Sequence, residues 1–204
     1  MKNIKVLVAG VITVSGVCLF NHVAFADDSS SLTSKGSIGF VKDEQGTLTI
    51  DHVSDFKFGE QKTSGSNKVY YAALDGDKAN FVQVTDKRGT NAGWHLTVTE
   101  DEQFKNESND SLTGAVLKLD NGTMTSADDG IAPTANQEIS LTPGTASDVI
   151  NAQVDQGTGI WVDSFGSDAE AGQKSVSVTV PGKTKKVQGE YTTSLTWNLA
   201  DTPA

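Results

Sequence analysis

Apolar and polar residues alternate one by one along much of this chain. Leu48 and Ile50 alternate with Thr49 and Asp51, and Trp94, Leu96 and Val98 with His95, Thr97 and Thr99. The same period recurs at Ala115, Leu117 and Leu119, at Val176, Val178 and Val180, and at Leu195, Trp197 and Leu199. Residues of one parity share a face of an extended strand, so each run predicts a half-buried strand. Asp75-Gly76, Asn121-Gly122, Asp129-Gly130, Pro143-Gly144 and Pro181-Gly182 supply turns between them. Asn121-Gly122, where both residues tolerate positive φ, predicts a tight hairpin between Val116–Leu119 and Thr123–Met124. No stretch of helical length is amphipathic. The pattern predicts an all-β fold: a single antiparallel β-sandwich or barrel-like domain of about ten strands. Two polar segments, 101–111 and 126–137, read as exposed loops.

A different pattern precedes the strands. Met1 to Lys5 is basic, Val6 to Phe20 is mostly apolar, and Ala24-Phe25-Ala26 is followed by Asp27-Asp28. This is the three-part form of a cleaved secretory signal. As a helix the apolar stretch would reach about 22 Å, short of the ~30 Å hydrocarbon core. The expected organisation is a signal peptide over 1–26, a flexible polar leader over 27–35 and one domain over 36–204. The mature chain is expected to have no membrane span. Past Trp197 only Asn198 to Ala204 follow, so neither a membrane anchor nor a wall-sorting signal is expected there. Any hold on the cell surface is then noncovalent.

Composition narrows the chemistry. Thr and Ser make 39 of the 178 mature residues (21 and 18), in keeping with pleated, solvent-facing positions. The chain has 26 acidic and 16 basic residues; Lys2 and Lys5 leave with the signal, so the mature charge is 14 − 26 = −12. Such a polyanion is repelled by nucleic acid and anionic lipid. The single cysteine, Cys18, lies in the signal, which leaves no thiol for a disulfide, nucleophile or metal ligand.

Catalytic patterns are thin. His52 and His95 each sit in an alternating run and read as ordinary strand residues; no Gly-x-Ser-x-Gly elbow accompanies them. Asp75-Gly76-Asp77-Lys78-Ala79-Asn80 places carboxylates two apart, as in a calcium loop, but lacks the closing Glu. Lys183, Lys185 and Lys186 read as a hairpin-edge charge cluster. The acids carry no pattern that selects a hydrolytic pair. The expectation is a non-enzyme with no cofactor and no metal.

The tryptophans are more informative. Gly93-Trp94-His95-Leu96 and Thr196-Trp197-Asn198-Leu199 are two Trp-x-Leu strands, and the second lies within Tyr191-x-x-x-Leu195-Thr196-Trp197-x-Leu199-x-x-x-Pro203. In this the chain resembles the WxL-domain surface proteins of low-GC Gram-positive bacteria, over essentially its whole mature length. The resemblance implies a secreted module held noncovalently at the cell surface through peptidoglycan. It also implies partnership with other surface proteins encoded nearby. An alternative implied function is a protein-interaction subunit, retained by a membrane- or wall-anchored partner. The residues carried over are Trp94, Leu96, Tyr191, Leu195, Trp197, Leu199 and Pro203. Parity places Trp94, Trp197 and Tyr191 inward, where the motif defines the fold; stacking of the indoles on wall sugars is the other reading. Trp161 differs, because Ile160 and Val162 take the opposite parity and Asp163 shares its own. It is the tryptophan expected to be exposed or in a loop-lined groove.

Overall fold

The computed structural model describes residues 36–38 and 46–204. The expected signal peptide and leader, 1–26 and 27–35, lie outside the described residues.

Over the described residues the domain is all-β, with twelve strands. They are β1 (Leu48–Val53), β2 (Lys68–Tyr71), β3 (Phe81–Asp86), β4 (Trp94–Glu100), β5 (Val116–Asp120), β6 (Gly122–Thr125), β7 (Thr134–Ala135), β8 (Glu138–Ser140), β9 (Ala146–Ala152), β10 (Gly159–Phe165), β11 (Val176–Val180) and β12 (Leu195–Ala200). A single helical turn among the described residues, α1 (Ala169–Gly172), is capped by the Asp168 carboxylate, which accepts from the Ala171 amide at 2.8 Å. All pairings are antiparallel. They form three four-stranded sheets, ordered β1-β3-β10-β6, β2-β11-β5-β8 and β12-β4-β9-β7.

The alternation does what it predicts. Val82 and Val84 on β3, Trp94, Leu96 and Val98 on β4, Leu117 and Leu119 on β5, and Val176, Val178 and Val180 on β11 all point into one core shared by the three sheets. Apolar burial of this kind stabilises at roughly 25 cal/mol per Å².

Two local expectations change. Asn121 does take positive φ, at 60°, but Asn121-Gly122 makes no hairpin. β5 pairs with β11 and β8, whereas β6 pairs with β10 in another sheet. The left-handed residue turns the chain from one sheet into the next. Gly122 is required by crowding: a Cβ there would lie 2.6 Å from the Asn136 carbonyl oxygen and 3.1 Å from Asp163 Oδ1. The polar segment 101–111 contains no strand, yet it is pinned to the core by buried Phe104, which meets Phe58 edge-on at 6.3 Å.

Candidate functional site

The two tryptophan strands lie about a hundred residues apart in sequence and are neighbours in space. β12 pairs with β4, placing Trp197 opposite Val98 and Leu199 opposite Leu96. β4 also pairs with β9 on its other side, whereas β12 is an edge strand. Trp94, Leu96 and Val98 are fully buried; Leu195, Trp197 and Leu199 face the same core and are half-buried.

Trp94 is locked at the pyrrole edge of its indole by Gly157. Its Nε1–H donates to the Gly157 carbonyl at 3.0 Å, so the buried indole leaves no unmet donor. Gly157 has φ of 75°, and a Cβ there would lie 2.6 Å from Trp94 Nε1. A glycine is thus needed for both the turn and the approach.

A buried ion pair joins the two motifs. The Arg88 guanidinium forks onto Asp86, donating through Nε to Oδ1 at 3.0 Å and through Nη2 to Oδ2 at 2.8 Å. It also donates to the carbonyl of Gly93, just before β4, at 2.7 Å and to that of Asp201, just after β12, at 3.1 Å. The chain end is held over the same sheet. His95 Nδ1 lies 2.7 Å from the Thr202 carbonyl, and the Ala204 amide donates to Asn151 Oδ1 at 3.2 Å. Pro203 sits half-buried between these two ties. Tyr191 is also half-buried. Its hydroxyl accepts from the Val187 amide at 3.0 Å and donates to the Val187 carbonyl at 3.2 Å.

The structure therefore brings Trp94, Leu96, Leu195, Trp197 and Leu199 together on an inward face, with Tyr191 and Pro203 flanking the strand. The outward face of the same sheet is polar. Across β12 and β4 it reads Thr196 against Thr99 and Asn198 against Thr97.

Trp161 is corrected: it is buried, at 4% exposure, together with Asp163 and Phe165, while Ile160 and Val162 take the outward side of β10. The parity reading went astray because it followed the two aliphatics. The bulk of Trp161 and Phe165 outweighs Ile160 and Val162, and Asp163 is carried inside with them. The Trp161 indole N–H donates to the Thr158 carbonyl at 3.0 Å.

Two buried carboxylates escaped sequence reasoning. Glu100 continues the inward parity of Trp94 beyond Val98, and Asp163 that of Trp161. Both are fully buried, and none of their carboxyl oxygens has a hydrogen-bond partner. Burial pushes Glu100 up to about 7. It does the same to Asp163, with the nearby Thr123 amide pulling the other way. A strict parity count through the end of each run would have found them.

His52 stacks on Phe81 at 4.2 Å between ring centroids, and its Nε2 lies 3.1 Å from Asp75 Oδ2. Buried Ser54 donates to that same carboxylate oxygen at 2.7 Å and accepts from the Phe81 amide at 2.9 Å. Those bonds, led by the one from Ser54, hold Asp75 below the usual carboxylate range. A hydrolytic triad needs the hydroxyl proton directed at the imidazole; here it goes to the carboxylate, and the cluster ties β1 to the turn before β3.

Among the described residues no helix is long and apolar enough to cross a membrane. No curated protein and no solved structure matches the chain significantly. A family profile, WxL domain surface cell wall-binding, matches residues 30–203 and so spans both tryptophan strands. The chain belongs to the WxL-domain family, a family of wall binding and not of catalysis, which places the protein at the cell surface on the cell wall.

Proposed function

We propose that this protein attaches noncovalently to the wall by binding peptidoglycan, as one component of a surface protein complex. The observation that carries the reading is the register of β4 against β12. The residues shared with the family form one folded unit, with Trp197 opposite Val98 and Leu199 opposite Leu96, inside a chain matched to a wall-binding family over residues 30–203. With the motif indoles turned inward, the motif builds the module and wall contact falls to outward surfaces. Membership of a complex is supported by the position of β12. An edge strand bonded on one side only leaves main-chain groups that a neighbouring protein's strand can extend.

The test is sedimentation of the purified exported protein with peptidoglycan sacculi, with and without teichoic acid. Binding to stripped sacculi, with release by denaturant alone, is expected; failure to sediment removes the reading. Since the mature chain is acidic, teichoic phosphates repel it, and moderate salt strengthens binding to intact walls. Retention by a partner instead of by peptidoglycan would show as binding only to walls from cells that carry the partner.

A further inference from the structure

Among the described residues an aromatic-lined groove lies open to solvent, away from the paired tryptophan strands. β2 is the edge of its sheet, hydrogen-bonded only to β11. On it Tyr70 packs against the core, so Tyr71, on the opposite face, is left 49% exposed. The Ala73 amide donates to the Lys57 carbonyl at 2.7 Å, which draws segment 57–59 alongside the end of β2. Between them lies an open groove of about 510 Å³ whose lining includes Tyr71, Phe58, Lys57 and Gln173. Gly59 and Gly76, both at positive φ, keep it free of side-chain bulk.

The chemistry of the lining selects a ligand class. An exposed phenol ring presents a negative π face, which attracts the weakly positive C–H groups on the flat side of a pyranose. Phe58 is held by its edge contact with Phe104, so the aromatic wall is preformed. The Gln173 side-chain amide has no hydrogen-bond partner among the described residues, and it offers both donor and acceptor to sugar hydroxyl or acetamido groups. The Lys57 ammonium likewise has no ion-pair partner among the described residues. Asp75, whose charge Lys57 also senses, is already held by Ser54 and His52. In a chain of mature charge −12, one cation beside an aromatic platform suits a sugar that itself carries a carboxylate.

We infer that the Tyr71 groove is the glycan subsite: it takes the amino-sugar backbone of peptidoglycan, with Tyr71 stacked on a pyranose and Lys57 against the free lactyl carboxylate of a muramic residue that carries no stem peptide. This rests on the wall-binding reading above and adds the place and the ligand chemistry to it.

The experiment titrates the exported protein with a soluble N-acetylglucosamine–N-acetylmuramic acid tetrasaccharide and with neutral chitotetraose, following amide chemical shifts. Tyr71→Ala weakens both by about tenfold, since it removes the shared stacking surface. Lys57→Ala weakens only the muramic ligand, by about threefold to fivefold. Asn198→Ala, on the outward face of the β12 sheet, changes neither. Tyr71 and Lys57 are exposed, and unchanged melting confirms that both variants fold. Equal binding of the wild type, Tyr71→Ala and Lys57→Ala to the tetrasaccharide overturns the inference. Wild-type sedimentation with sacculi that Tyr71→Ala leaves intact also overturns it while the wall-binding reading stands. A wild type that sediments with no sacculi overturns both.

Discussion

β4 and β12 carry the same Trp-x-Leu pattern, face the same core and pair in register, yet one is sealed and the other is not. Trp94 is fully buried because β4 has a neighbour on each side, β12 and β9. Trp197 is half-buried because β12 has a neighbour on one side only. The local pattern decides which way an indole points, and the number of flanking strands decides how deep it lies. Equal motifs therefore have unequal energetic weight.

Substitution separates them. The largest effect is expected from Trp94→Ala, about 4 kcal/mol in denaturant unfolding, because a large side chain is deleted from a core that can only partly collapse and the Gly157 carbonyl loses its donor. Next is Arg88→Ala, at about 3 kcal/mol, since it leaves the Asp86 carboxylate buried without its partner and cuts the ties to Gly93 and Asp201 that link the two motif strands. A loss in Arg88→Ala no larger than that of an exposed ion pair would mean that the two strands hold each other without the clamp.

The third test concerns the far end of β4, where Glu100 pairs in register with Leu195 at the start of β12. Its folded pKa lies at about 7, above its ordinary 4.5, and that of Asp163 at about 7, above 3.8. A raised carboxyl pKa means that the folded state holds its proton longer than the unfolded chain. The stability this gives is complete below about pH 4 and is lost as pH rises to about 7. Glu100→Gln and Asp163→Asn should each flatten that slope. Each gains on the order of 3–4 kcal/mol at pH 8 and nothing at pH 4, read from urea midpoints at both pH values. A slope unchanged in both variants would place the pH dependence in other groups. The smallest effect is expected from Trp197→Ala, about 2 kcal/mol, because part of the indole already meets water. If its cost equals that of Trp94→Ala, the edge strand is as well packed as the central one and the comparison fails.

Much of this architecture was readable in the residue order. The runs at β4, β5, β11 and β12 gave strand identity and inward face because period two is a local property of extended chain. The two tryptophan motifs gave the family. Where the reading failed, a local rule met a distant constraint. Asn121 did adopt the left-handed backbone that its type favours, but β6 found its partner in β10, some forty residues on, and the turn became a crossing between sheets. At Trp161 two outward aliphatics were mistaken for the core face, since only the tertiary packing shows that Trp161 and Phe165 are needed there. The buried pair Asp86–Arg88 was invisible because its other contacts, at Gly93 and Asp201, are more than a hundred residues apart. Tyr71 drew no notice either; its exposure follows from β2 lying at a sheet edge, which pairing alone determines.

By itself, then, the sequence determined the all-β class, the inward face of most strands, the acidic composition, and the family through its paired Trp-x-Leu motifs. Each depends on neighbours along the chain or on side-chain type. The tertiary structure alone decided that the two motifs are one paired unit, that Trp94 is sealed and Trp197 only half so, that Glu100 and Asp163 are buried without partners, and that Tyr71 stands beside an open groove. Those properties depend on which strands become neighbours, and strand pairing joins segments whose separation no local pattern encodes.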